Sequence, residues 1–149
     1  MQTRWTGCGP ALVTPFSANG DLDEAGVARL ARRQIDGGVH FLVPCGTTGE
    51  SPSLSHAETV HVVELVVREA DGQVPVLAGA GGYDTRAAIA LVGDMANAGA
   101  NGVLSVTPYY NRPTQEGLYR HFEAIAESTT LPIVLYNVPA RTSCNIQPP

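Results

Sequence analysis

The sequence has 149 residues, 44% of them hydrophobic and 15% charged, with a net charge of −5, which suits one buried core and excludes a disordered or fibrous chain. The acidic balance, with Arg29, Arg32 and Arg33 as the one local group of cations, argues against a nucleic-acid surface, since phosphate binding needs clustered positive charge. No apolar run reaches the roughly 20 residues of a membrane span and no apolar segment follows residues 1–5 as a signal peptide would require, so a cytoplasmic location is expected.

Residues 9–16 are a short apolar run closed by the turn Ser17-Ala-Asn-Gly20, which predicts a first strand. Asp21-Leu-Asp-Glu24 then places carboxylates at a helix start, and Val27, Leu30, Ala31, Gln34 and Ile35 recur at helical spacing up to Gly37-Gly38. Residues 41–45 predict a second strand, followed by the loop Gly46-Thr47-Thr48-Gly49-Glu50-Ser51. Ser55-His-Ala-Glu58 is a capping box ahead of a second helix that Asp71-Gly72 closes.

Strands at 74–78, 102–107 and 131–136 alternate with helices capped near Asp84 and running over 117–128. Each strand is apolar throughout and begins about 30 residues after the last, the pattern of βαβ units around a parallel sheet. Polar, ligand-like residues follow every strand after the first instead of gathering at one switch point, so a (β/α)8 barrel is favoured over a doubly wound sheet. A complete barrel needs about 250 residues. The sequence therefore reads as one domain over 1–149, a TIM barrel truncated to about five strands and four helices, with unpaired edges and apolar surface that should promote association.

The loop at 46–51 is the first candidate site. Two glycines allow a tight turn and a close approach to a ligand, and the hydroxyl and N–H groups of Thr47 and Thr48 offer neutral donors to a small anion. Gly79-Ala-Gly-Gly82 lacks both the Gly-x-Gly-x-x-Gly spacing and a Walker lysine, so it is read as a tight turn and no cofactor is implied. His40, His56, His61 and His121 stand in no metal-ligand spacing. Cys8, Cys45 and Cys144 form neither an even disulfide set nor a CxxC pair, and read as reduced, buried small hydrophobes. All nine basic residues are arginines, so the sequence contains no lysine.

Gly46-Thr-Thr-Gly-Glu-Ser51, Thr107-Pro-Tyr-Tyr-Asn-Arg-Pro113 and Tyr136-Asn-Val-Pro-Ala-Arg-Thr142, in that order and each after a predicted strand, resemble the dihydrodipicolinate synthase family across nearly the whole chain. The resemblance implies a class I aldolase-type lyase that condenses pyruvate with aspartate semialdehyde on the route to diaminopimelate and lysine. It implies that Thr47 and Thr48 hold the pyruvate carboxylate and that Thr47, Tyr110 and Tyr136 form a proton relay, with Tyr136 as the central acid/base. A phenol has an ordinary pKa near 10, so such a role needs partners that share its proton. Arg141 is implied to bind the carboxylate of aspartate semialdehyde, as a bidentate guanidinium can. Tyr110 is implied to reach the site of a neighbouring subunit, with Tyr109 at that interface and a dimer of dimers for the full-length parent.

The family forms its imine on a strand-six lysine, so this chain is expected to be inactive alone. At the family's effector positions His56, Ser51 and Tyr109 match the lysine-sensitive enzymes. Tyr83 and Ala87 replace the usual Asn and Glu, which argues against feedback by lysine. Competing readings are N-acetylneuraminate lyase or a 2-keto-3-deoxy sugar-acid aldolase of the same superfamily, and a half-barrel that serves as a binding module; Arg141 and the Tyr-Tyr-Asn-Arg-Pro loop favour the synthase.

Overall fold

The structure is a computed structural model and describes residues 5–148. Arg4 and the rest of the N-terminal stretch weighed as a signal peptide, apart from Trp5, lie outside the described residues, as does Pro149. The described chain runs α1 (Glu24–Asp36), two 3₁₀ turns (Thr47–Gly49 and Ser51–Ser53), α2 (His56–Ala70), β1 (Leu77–Gly79), α3 (Thr85–Asn97), β2 (Gly102–Val106), α4 (Gln115–Glu127), β3 (Ile133–Tyr136) and a short α5 (Pro139–Thr142).

The strands β1, β2 and β3 pair in sequence order and in parallel, with Ala78 opposite Val103 and Leu104 opposite Val134. The two predicted strands before them are present only as single parallel bridges, Ala11 to Val43 and Leu42 to Val76. Proline is the physical reason. Pro10, Pro44 and Pro75 have no N–H to give, so each can only accept, from Val43 N (3.1 Å), Gly79 N (2.9 Å) and Leu42 N (3.0 Å). Chain direction and pairing survive; the regular ladder does not. The five segments therefore form one parallel succession in sequence order.

That order decides the architecture. When every parallel strand is added on the same side and every crossover is right-handed, all helices fall on one face of the sheet. Accordingly α1 packs on α2, α2 on α3 and α3 on α4 in an unbroken layer, as in a barrel wall and unlike a doubly wound sheet. The core lies between the two layers, where Leu42, Val63, Leu65, Val66, Val76, Val92, Met95, Val103 and Ile125 are fully buried.

Each long helix begins on a side chain of the chemistry its sequence offers. Asp23 accepts from Gly26 N at 2.8 Å, and Thr114 from Gly117 N at 3.1 Å. Ser55 and Glu58 close a reciprocal box at 3.2 and 2.8 Å. Asp84 accepts from both Arg86 N (2.8 Å) and Ala87 N (3.1 Å). Asp71 ends α2 in the left-handed region at φ 44°, where Asp is tolerated better than most residues. The fourth helix starts two residues earlier than its apolar spacing predicts, because the Thr114 cap sets the boundary and Gln115 and Glu116 contribute no apolar residue to that spacing.

Cys45 and Cys144 are buried and unpaired, but Cys8 is exposed, against the expectation for all three. Cys8 sits in the N-terminal segment, where its N–H donates to His40 Nδ1 at 2.9 Å. Among the described residues no helix is long and apolar enough to cross a membrane.

His61 ties the first two helices together, with Nε2 at 3.0 Å from Glu24 of α1 and Nδ1 at 3.4 Å from Glu64 of α2. The hydrogen bond to Glu24 is the main cause that raises its pKa above the ordinary value; burial opposes it, and Glu64 raises it further. A histidine with a raised folded-state pKa stabilises the fold fully below its unfolded pKa of about 6.5, and that contribution is lost as pH rises through the folded value. These groups are solvent-exposed, so the pair is worth about 0.2–1 kcal/mol. The urea midpoint of His61→Gln should fall below the parent's at pH 5.5 and approach it at pH 8.5. A deficit that grows with pH would contradict the pairing.

Asp84→Ala removes two bonds from the start of α3 and should cost about 1 kcal/mol. Urea denaturation checks this, and a change under about 0.3 kcal/mol would mean water replaces the cap.

Candidate functional site

The carboxyl ends of the parallel strands and the loops beyond them enclose a cavity of about 300 Å³. Its floor is Gly79 at the end of β1 and the inward-facing Leu104, Val106 and Tyr136 of β2 and β3; its rim includes Thr47, Tyr109 and Arg141. Strand alternation selects these residues. Leu104 and Val106 face the cavity, whereas Val103 and Ser105 turn to the helix layer and are fully buried there.

The loop at 46–51 is built differently from the sequence expectation. Neither Gly46 nor Gly49 adopts positive φ; the left-handed residues are their neighbours Cys45 (φ 57°) and Glu50 (φ 53°). Gly46 is extended, with open space where a Cβ would stand, and Gly49 presses against Leu12 O and Thr14 Oγ1. Thr14 is buried and its hydroxyl donates to Gly49 O at 2.7 Å, holding the loop to the first segment. Nor does the loop run straight into α2. Two 3₁₀ turns intervene, and the N-terminus of α2 is already occupied by its own capping box.

What the first 3₁₀ turn provides is a pair of leading N–H groups. Its first backbone bonds are donated by Gly49 N to Gly46 O (3.0 Å) and Glu50 N to Thr47 O (3.1 Å), so Thr47 and Thr48 precede the first donor and their N–H groups have no backbone acceptor among the described residues. Thr47 lines the cavity and Thr48 does not. Both are exposed.

A glycine beyond the loop matters for its size. At Gly79 a Cβ would run into the carbonyl of Cys45, so β1 and the second segment approach here only because the residue has no side chain. Cys45, also on the cavity wall, is 2% exposed, and desolvation pushes its thiol up to about 12. It remains a neutral thiol with Sγ 3.7 Å from Thr59 O, and is no nucleophile.

Tyr136 and Arg141 are positioned through two threonines that the motif reading left without a role. Thr107 is fully buried; its N–H donates to Tyr136 O at 3.0 Å and its Oγ1 lies 3.2 Å from Thr142 Oγ1. Thr142 Oγ1 is also within reach of Val138 O (3.2 Å) and Cys144 O (3.0 Å), and accepts from Cys144 N at 3.3 Å. The single turn α5 is thereby fixed beneath Arg141, whose exposed side chain lines the cavity. Pairs of buried hydroxyls leave little signal in a single sequence.

Tyr110 stands apart from Thr47 and Tyr136. It is 90% exposed, in the left-handed region at φ 74°, and does not line the cavity. Among the described residues no hydrogen bond joins Thr47, Tyr110 and Tyr136. Tyr109 instead turns inward onto Tyr83, edge to face with ring centroids 5.4 Å apart, and Asn111 Nδ2 donates to Tyr83 O at 3.1 Å. The predicted site residues thus divide into three that share the cavity, Thr47, Tyr136 and Arg141, and two that do not, Thr48 and Tyr110. His56 lies outside the cavity and binds Asp94 at 2.7 Å. Among the described residues no three His, Cys, Asp or Glu side chains are grouped so as to hold a metal.

Comparison with known proteins gives the arrangement a family. Residues 4–149 match the model of the Dihydrodipicolinate synthetase family. The chain is 58% identical to the 4-hydroxy-tetrahydrodipicolinate synthase of Phenylobacterium zucineum over 92% of its own length and 46% of that protein's. The dihydrodipicolinate synthase of Aquifex aeolicus superposes with a TM-score of 0.93 at 42% identity, covering 95% of this chain and 48% of that one. The chloride-inhibited dihydrodipicolinate synthase of Acinetobacter baumannii, solved in complex with pyruvate, gives 0.92 at 44% identity, covering 94% and 48%. The chain spans about half the length of the relatives it matches, and its fold is the corresponding part of a (β/α)8 barrel. With residues 4–149 matched by the family model and a backbone shared with solved relatives, this chain is a member of the Dihydrodipicolinate synthetase family.

Proposed function

We propose that this chain carries the keto-acid-binding part of a 4-hydroxy-tetrahydrodipicolinate synthase-type lyase, which joins pyruvate to aspartate semialdehyde. The observation that carries the reading is the convergence of Thr47, Tyr136 and Arg141 on one cavity at the carboxyl ends of the strands, where barrel enzymes place their chemistry. The pyruvate complex of the Acinetobacter baumannii relative supports the choice of keto acid.

In this reading the leading N–H groups of Thr47 and Thr48 and the Thr47 hydroxyl receive the pyruvate carboxylate, as anions are received by the unsatisfied donors of a helical turn. The Tyr136 hydroxyl moves protons at the reacting carbonyl, and Arg141 grips the carboxylate of the aldehyde substrate through two parallel hydrogen bonds. The exposed Tyr110 serves the relay of a second subunit in a dimer-of-dimers parent, which accounts for a tyrosine held in an unfavourable backbone region and directed away from its own cavity. Such an enzyme works in the cytoplasm.

The bond-making step needs an amine. In a class I aldolase a lysine attacks the keto carbon and water leaves, and loss of a proton from the adjacent methyl gives the enamine that adds to the aldehyde. This sequence contains no lysine, so the chain by itself holds substrate without activating it. Borohydride reduction in the presence of pyruvate should therefore leave its mass unchanged, and a stoichiometric pyruvate adduct would overturn this division of labour.

Binding is tested separately by nuclear magnetic resonance. Pyruvate should shift the amides of Thr47 and Thr48 and the ring of Tyr136, while succinic semialdehyde should shift Arg141 and lose most of its binding in Arg141→Ala. Shifts confined to residues outside the cavity would remove the site assignment.

A further inference from the structure

The segment that carries Thr47 is gripped on both sides by other strands. Before Thr47, Cys45 O lies against Gly79, where a side chain would collide with it. After Thr47, Gly49 O accepts the Thr14 hydroxyl at 2.7 Å, and a Cβ on Gly49 would stand only 3.0 Å from Leu12 O and 3.3 Å from Thr14 Oγ1. The loop's two left-handed residues belong to these same contacts: Cys45, at φ 57°, makes the first, and Glu50, at φ 53°, follows the second. Left-handed backbone crowds Cβ against a carbonyl in every L-residue, so such positions persist only where surrounding contacts offset their cost.

Thr14 is suited to supply that offset. A residue before proline is pressed into extended backbone and a β-branched side chain has few rotamers, so Thr14, followed by Pro15, orders its hydroxyl at small entropic cost. Its segment is itself anchored on both sides. Leu12 N donates to Val43 O at 2.9 Å, and Asp23 N, from the cap of α1, donates to Pro15 O at 2.9 Å. Thr14 and Gly49 are both buried, so losing the hydroxyl would leave the Gly49 carbonyl buried without the donor it has here.

We propose that Thr14 is a positioning residue for Thr47: its bond to Gly49 O keeps the turn in the form, left-handed at Glu50, that sets Thr47 on the cavity wall with Tyr136 and Arg141. The inference rests on the keto-acid reading of that cavity. Thr14 does not itself line the cavity, so it acts through the turn. A turn of three residues has too few bonds of its own to fix its direction, and a ligand group held in place by its support binds more tightly than one that must be ordered first. The other side of the cavity is held independently, since the turn under Arg141 rests on Thr107 and Thr142.

The test compares Thr14→Val, which keeps the shape and loses the donor, with Thr14→Ser, which keeps the donor, by nuclear magnetic resonance. Thr14→Val should weaken pyruvate binding, read at Thr47 and Tyr136, roughly tenfold, the effect of one buried hydrogen bond. It should also move the Glu50 Cα and Cβ shifts away from left-handed values, and Thr14→Ser should restore most of both. Succinic semialdehyde binding, read at Arg141, should change less than about twofold, whereas a bond that served the fold alone would affect both ligands alike. Gly49→Ala strains the same contact from the turn's side and should repeat the Thr14→Val result, which decides the matter if Thr14→Val does not fold. Pyruvate binding that survives these substitutions, Glu50 shifts that stay left-handed, or an equal loss at Arg141 overturns the proposal. If pyruvate shifts nothing in the parent, the keto-acid reading fails, and the Glu50 shifts still decide whether Thr14 holds the turn.

Discussion

The cavity depends on the register of parallel strands at their carboxyl ends. There Gly79 N bonds to Pro44 O, Ala80 N to Leu104 O and Thr107 N to Tyr136 O, all within 2.9–3.0 Å. Each bond fixes how far one strand projects beyond the next, and hence where the following loop starts. A slip of one residue would turn Leu104, Val106 and Tyr136 towards the helices and bring Val103 and Ser105 inward. The absence of a side chain at Gly79, where a Cβ would meet Cys45 O, lets the second and third segments approach closely enough to keep that alignment.

Onto this frame the chain fastens its functional loops with buried hydroxyls. Thr14 holds Gly49, and Thr107 with Thr142 holds the turn under Arg141. A buried hydroxyl is costly when unpaired, so each of these bonds disfavours alternative loop positions as well as stabilising the observed one. The cavity wall is thereby rigid where Tyr136 and the base of Arg141 stand. Thr47 and Thr48 themselves remain exposed.

The helix layer obeys simpler rules. Four long helices start on Asp23, Ser55, Asp84 and Thr114, each with its side chain on a backbone N–H two or three residues ahead. Their apolar stripes face the sheet and their ion pairs lie outside, as with Arg120 between Glu116 and Glu123. Such local patterns recur at fixed spacing, which is why the helices were legible from the sequence and their limits nearly so. The strands were legible as apolar runs, but their lengths were not. Prolines at 10, 44 and 75 shorten the ladder without altering the pairing, a distinction that depends on which way each missing N–H faces.

By itself the sequence determined the parallel α/β architecture, the order of its elements, the helix caps and the three strand-end motifs, because each follows from neighbours within a few residues. The absence of lysine, read directly, bounds what chemistry the chain can perform. Only the tertiary structure decided which motif residues meet. Thr47, Tyr136 and Arg141 converge because strand alternation and register turn them to one side, while Tyr110 faces outward from a left-handed turn. It also placed the left-handed positions of the first loop at Cys45 and Glu50 instead of at the glycines that were expected to make its tight turn. Backbone conformation there answers to the strands on either side and to Thr14, which lies 35 residues from its partner, and no local pattern carries that information.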